Sequence, residues 1–140
     1  MDLDLVIQRL KAMATGLRQV GGTADLDAAI DGAPATPAAY VMPLTDDAQP
    51  SATTQVLRQT VLHRFAVVLV VNNRRDANGA AALSDLKPLR AALKTSLLGW
   101  VPDATTGEAV QYGAGRLLRL DANGRLWWSD EFVYQTYLRA

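Results

Sequence analysis

The stretch from Val56 to Asn73, VLRQTVLHRFAVVLVVNN, constrains the fold more than any other part of the chain. Its second half, Phe65 to Val71, is wholly apolar, and four of those residues are valine. β-branched side chains are stiff at χ1 and suit a pleated surface. An apolar run closed by Asn72-Asn73 predicts a strand buried on both faces. The first half differs. One parity holds Val56, Arg58, Thr60, Leu62 and Arg64, the other Leu57, Gln59, Val61 and His63, so polar groups interrupt both faces. A single strand over the whole stretch would reach roughly 60 Å at about 3.3 Å per residue. Ordinary strands have about five or six residues. Either the run bends near His63, or its outer half leaves the body and pairs elsewhere. An uncovered strand invites aggregation unless a partner covers it. This points to an assembly, with Val56, Arg58, Thr60, Leu62 and Arg64 as candidate subunit-interface residues.

At 140 residues the chain reads as a single domain, 1–140, long enough for a real core. Lys plus Arg equals Asp plus Glu at 14 each, so there is no basic excess of the kind nucleic-acid binders show. Near-neutrality also weakens the self-repulsion that keeps copies apart. Cysteine is absent, which removes disulfide and thiolate chemistry. Asp2 and Asp4 stand where a signal peptide would be basic. No apolar run reaches the length of a membrane span, so no membrane partner is expected.

Asp2 to Ala14 has the spacing of an amphipathic helix, with Leu3, Val6, Ile7, Leu10 and Met13 or Ala14 inward and Gly16 able to end it. A helix covering a sheet explains it better than a membrane-surface helix, because its basic face is thin. Gly21-Gly22 break the chain. Thr23 to Ile30 predicts a short helix, with Thr23 as N-cap and Leu26, Ala29 and Ile30 inward. Asp25, Asp27 and Asp31 lack the glycine and bidentate glutamate of a calcium loop; Asp25 better serves the helix dipole. Ala39 to Leu44 predicts a short strand, with Pro43 marking an edge or an end. Polar Thr45 to Thr53 joins it to the long strand as an extended hairpin. This arm, about residues 45–60, is of a composition that orders on assembly.

Arg74 to Gly79 reads as a turn. Ala80 to Leu98 predicts a helix with Leu83, Leu86, Leu93 and Leu97 in one stripe. Pro88 either kinks it or sits in the first turn of a fresh helix capped by Asp85. Ala109 to Tyr112 starts a strand that bends at Gly113-Ala114-Gly115 and continues through Arg116 to Leu120. Asp121-Ala122-Asn123-Gly124 is a hairpin turn, and Arg125 to Trp128 returns. Phe132 to Tyr137 is a last strand or an extended tail. The predicted fold is α+β: a mainly antiparallel twisted sheet, helices packed on one face, and a protruding long β-hairpin.

No catalytic constellation emerges. His63 is the only histidine and lies mid-strand, which reads as a structural or interface role. Gly113-Ala114-Gly115 lacks the setting of a dinucleotide loop, and no phosphate-loop lysine is present. Asp130 and Glu131 are adjacent in an extended chain and point to opposite sides. No enzyme activity, cofactor or metal is expected. Arg58, Arg64, Arg74, Arg75, Arg116, Arg119 and Arg125 make the β portion arginine-rich, as a salted surface or as contacts between subunits. Trp127-Trp128 puts one indole on each face; one is core, the other half-covered locally or an interface anchor.

Taken together, a leading helix, PAAYVMPL at 37–44, RFAVVLVV at 64–71, LLGWVPD at 97–103 and YGAGRLLRLDANGRLWWSDEF at 112–132 resemble the tail terminator family of long-tailed phages, relatives of the lambda and Mu-like prophage terminators. The most telling parts are Gly-Trp-x-Pro at 99–102 and YGAG before the final hairpin. The resemblance implies a subunit of a hexameric ring in the virion tail, made in the host cytoplasm. The ring would cap the finished tube, stop addition of tube protein and present a surface to the head–tail connector, with DNA passing through its bore without sequence-specific binding. It brings no catalytic residues. Another ring-forming neck or tail-tube protein is the nearest alternative; a small cytoplasmic ligand-binding domain is a third.

Overall fold

The computed structural model describes residues 2–14, 16–32, 34–72, 80–105, 107–121 and 124–140. Asn73, the predicted turn at 74–79 with Arg74 and Arg75, and residues 122–123 of the hairpin turn lie outside them. The elements run α1 (Leu3–Met13), β1 (Gln19–Gly21), α2 (Thr23–Asp31), β2 (Ala38–Ala48), β3 (Arg58–Asn72), α3 (Ala80–Leu97), β4 (Gln111–Leu120) and β5 (Arg125–Arg139). The strands form one sheet in the order β1-β2-β3-β5-β4. Only β1 and β2 pair parallel; the other three pairings are antiparallel.

The long strand is the middle of this sheet, and it does not bend at His63. Its register with β5 runs from Arg58↔Arg139 to Asn72↔Arg125 without a shift. The outer half therefore does not leave the body either. β5 is a single strand of 15 residues, where the sequence suggested a short return and an optional tail. On the other side, Val61 to Arg64 pair with Ala48 to Thr45 of β2. What was predicted as a two-stranded arm is three strands wide. The hydrogen bonds of β3 are completed within the protomer, which removes the missing-strand argument. The connection between β2 and β3 is 49–57, displaced along the chain from the predicted 45–53, because residues 45–48 belong to β2 and β3 starts at Arg58.

Alternation along β3 splits the core into two layers. Phe65, Val67, Leu69 and Val71 face α1 and α3 and join Leu10, Leu86, Leu93 and Leu97 in the main cluster. Val68 and Val70 point the other way, with Tyr40, Trp127 and Ala29 of α2. A strand buried on both faces is thus what the apolar run builds. Helices on one face alone is not: α2 lies opposite α1 and α3. The reason is that β1 and β2 are parallel neighbours, and the chain must cross the sheet between them, so α2 is the crossover helix.

Local signals mostly hold. Asp2 caps α1, accepting from the Asp4 N–H at 3.0 Å. Gly22, not Thr23, is the N-cap of α2, and Asp25 reaches back to its N–H at 2.8 Å. Ala29 of α2 is buried, but Ile30 is exposed. Pro43 lies within β2, beside a register shift and beyond the last residue that β1 covers. α3 passes through Pro88 as one helix. Its inward stripe is Ala82, Leu86, Leu89, Leu93 and Leu97, with Leu83 outward. Leu86, Leu93 and Leu97 are fully buried and contribute about 1.5–3 kcal/mol each, which together exceeds the roughly 3 kcal/mol cost of a proline inside a helix.

Tyr40 is fully buried on the α2 side, and among the described residues its hydroxyl has no hydrogen-bond partner. An unsatisfied buried hydroxyl costs about 1–3 kcal/mol. Tyr40→Phe is expected to leave stability at neutral pH unchanged or raise it by about 1 kcal/mol in urea denaturation. Burial raises the Tyr40 pKa, with nearby Asp25 adding and Arg125 opposing. A raised folded-state pKa gives stability that is complete below the unfolded value of about 10 and lost as pH climbs through the folded one. The variant should therefore lose less stability than the parent when the same titration is repeated above about pH 10.

Candidate functional site

The candidate interface residues come from alternate positions of β3, so the sheet places Arg58, Thr60, Leu62 and Arg64 on one face. Val56 is not among them. It precedes β3 in the connection, is exposed, and its carbonyl accepts from the Ser51 hydroxyl at 3.3 Å and from the Thr53 hydroxyl. The face carrying the other four is the one opposite α1 and α3. α2 covers only its far end, over Tyr40, Val68, Val70 and Trp127. Among the described residues, no helix lies above the outer half. Cross-strand partners extend the surface: Thr60 is level with Tyr137, Leu62 with Gln135 and Asp47, and Arg64 with Val133 and Thr45.

At the tip, Arg58 stands directly opposite Arg139. Like charges in register across two strands destabilise a sheet by about 0.2–1 kcal/mol. Among the described residues, neither arginine has a carboxylate partner. A local rule is broken without an internal gain, the pattern that marks positions serving something outside the fold.

The other arginines divide. Arg125 is structural: its Nε donates to Asp121 Oδ2 at 2.9 Å, and its Nη1 donates to the carbonyls of Ala29 at 3.2 Å and Gly32 at 2.7 Å. It fastens the C-terminal end of α2 to the β4–β5 turn. Arg119 lies 5.6 Å over Trp127, with an exposed side chain. Arg116 is exposed on β4. Both tryptophans are covered within the protomer. Trp127 is buried, and Trp128 is half-buried under Arg90 at 4.5 Å, donating to Asp130 Oδ1 at 3.1 Å.

Asp130 belongs to a cluster that the sequence did not reveal. It is fully buried. Its carboxylate accepts from Arg90 of α3 at 3.1 and 3.2 Å, from Tyr112 at 2.9 Å and from Trp128. Glu131 points to the opposite face, as expected for adjacent strand positions. Gly115 makes room for the cluster: a Cβ there would sit 2.7 Å from Asp130 Oδ1 and 3.0 Å from Arg90 Nη2. The Tyr112 hydroxyl is held above its usual pKa, first by burial and then by its bond to Asp130.

His63 is buried between strands. Nδ1 lies 2.7 Å from Asp46 Oδ1, Nε2 lies 2.7 Å from Thr136 Oγ1, and the ring stacks on Tyr134 at 4.8 Å. A neutral imidazole that donates from Nδ1 and accepts at Nε2 satisfies all three groups. The line carboxylate–imidazole–hydroxyl has the order of a hydrolytic triad. Here its strand is paired on both sides of Thr136, with Val61 and with Gly107. The arrangement pins β2, β3 and β5 together across the outer half.

An apolar groove of about 290 Å³ opens where α2 stops. Ile30 of α2, Leu44 of β2 and Leu118 of β4 form its walls over Val68 and Trp127. Among the described residues, no helix is long and apolar enough to cross a membrane.

A family model described as phage tail terminator protein matches residues 1–140. No curated protein matches the chain. Among solved structures, a chain of one titled "Virion of native gene transfer agent (GTA) particle" is similar, with a TM-score of 0.62 and 16% identity over 95% of this chain and 92% of that one. At that identity the likeness concerns the fold.

Proposed function

From a chain that belongs to the phage tail terminator protein family, and is thus a structural component of a virion tail, we infer a subunit that closes into a six-membered ring. The ring caps the finished tail tube, ends its polymerisation and offers its other surface to the head–tail connector, with DNA passing through the bore. The observation that carries this reading is a family match spanning the whole chain, residues 1–140. It needs no cofactor and no catalysis. The subunit's zero formal charge suits a conduit in which DNA slides and is not held by phosphate contacts.

Electron microscopy of the purified protein mixed with tail tubes tests it. Density is expected at one end of each tube, and tubes so capped should stop growing when tube protein is added. Filaments grown from this chain alone would assign it to the tube. A mass by light scattering that stays monomeric, with tubes left uncapped, would remove the assembly reading.

Within the ring we assign Arg58, Thr60, Leu62 and Arg64, with Val56 beside them, to contact with a neighbouring subunit. The support is the helix-free face and the unrelieved Arg58–Arg139 pair. Reversing Arg58 and Arg64 to glutamate should abolish assembly by light scattering. The monomer should stay folded, because Arg58→Glu converts a like-charge cross-strand pair to an attractive one, an effect of about 0.2–1 kcal/mol. A variant that loses its thermal transition would make these arginines structural.

A further inference from the structure

Two strands of the sheet keep a long open side. Among the described residues, β4, at one end of the sheet, is bonded only to β5, and β2 beyond Tyr40 is bonded only to β3, because β1, the strand at the other end, stops at Gly21. Among the described residues nothing pairs with either row of backbone donors and acceptors, so each can receive another strand. Both also carry apolar side chains in the open: Leu117 and Leu118 of β4 are 50% and 42% exposed, and Leu44 of β2 is 39% exposed. Their charges are opposite. β4 contains Arg116 and Arg119 and no acid; Val41 to Ala48 contain Asp46 and Asp47 and no base.

We propose that the open side of β4 docks on the open side of β2 in a second copy of this chain, with Arg116 facing Asp47. This rests on the ring reading above and names the surfaces that close it. The side chains lie on the correct face: Arg116 is level with Ser129 and Val68, and Asp47 is level with Leu62, all on the side opposite α1 and α3. Among the described residues neither is committed to an ion pair, whereas Asp46 is bonded to His63. Strand direction agrees, since β4 runs opposite to β2 and would meet it antiparallel when the sheet continues from copy to copy. The register shifts at Tyr112/Ala114 and Leu117/Arg119 in β4, and at Pro43/Thr45 in β2, divide each side into short regular pieces. Such interruptions suppress indiscriminate pairing, and leave charge to select the register. The two sides are different surfaces at opposite ends of one sheet, so the contact is head-to-tail. Contacts of that kind close into rings or run on as filaments. The docked copy would also lie one strand away from Leu62 and Arg64.

The test is a charge exchange, with each variant first checked for an unchanged thermal transition. Arg116→Glu and Asp47→Arg should each reduce the assembled mass to that of the monomer, with or without tail tubes. The double variant, and an equimolar mixture of the two single variants, should recover the wild-type mass, because an alternating ring restores one opposite pair at every junction. Single variants that assemble like wild type would overturn the contact while the ring stands. So would a folded double variant that stays monomeric. A Leu118→Cys variant that cross-links with itself into a covalent dimer would show β4 against β4 and overturn it too; the natural chain has no cysteine to confuse that readout. Wild-type protein that is monomeric even with tubes present would overturn the ring, and the contact with it.

Discussion

Arg90→Ala is expected to lower the unfolding free energy by about 3–5 kcal/mol, because it leaves the buried Asp130 carboxylate without its cation. Asp130 has no solvent exposure, while the Arg90 side chain keeps 28%. The bond to Asp130, foremost among the causes, raises the already high Arg90 pKa. With Arg90 gone, the carboxylate keeps, among the described residues, the Tyr112 hydroxyl and the Trp128 N–H. A buried carboxylate without its cation weakens the seam between α3 and the sheet. For a chain of this size the loss corresponds to a fall in melting temperature of about 10 °C. Asp130→Asn removes the charge but keeps the shape and should cost less. If Arg90→Ala melts within a degree or two of the parent, Asp130 is not held as described.

The next largest effect is expected at Arg125. Its guanidinium spans Asp121 and the last carbonyls of α2, groups left unpaired at any helix C-terminus. Arg125→Ala should cost about 3 kcal/mol, at the lower end for a buried pair. Asp121 retains the Trp127 indole N–H at 2.9 Å and the backbone N–H of residue 125 at 3.0 Å. The loss should be local. Hydrogen exchange is expected to show α2 amides unprotected while those of β3 keep their protection. Uniform loss across the sheet would mean that Arg125 supports the β4–β5 turn and not the helix.

The central strand, α1, α3, the β4–β5 hairpin and the α+β class were legible because each rests on short-range periodicity. Phe65 to Val71 could be read as buried on both sides from composition alone. What escaped was set by long-range pairing. β1 is three residues long and carries no periodic signal. The length of β5 depends on β3 lying beside it, since Gln135, Thr136 and Tyr137 are polar enough to pass for a tail. Without that length, Val56 to Arg64 looked unpaired, and the case for assembly rested on a missing strand that β5 supplies. Four of the five residues named there, Arg58, Thr60, Leu62 and Arg64, share one face of the sheet. The Arg90–Asp130 cluster was invisible because its members are 40 positions apart, and because Gly115, which makes room for it, looked like a bend.

β3 and β5 meet over 15 residue pairs without interruption, while β2 and β4 carry the register shifts. Force applied along this pair is borne as shear, shared by every rung at once, and does not unzip the ladder from one end. Deformation is left to the flanks, where the pleat is already broken. A particle part built from such units would be stiff along each protomer and compliant at its seams, so that mismatch with a tube or a connector is absorbed between protomers and the central ladder keeps its shape.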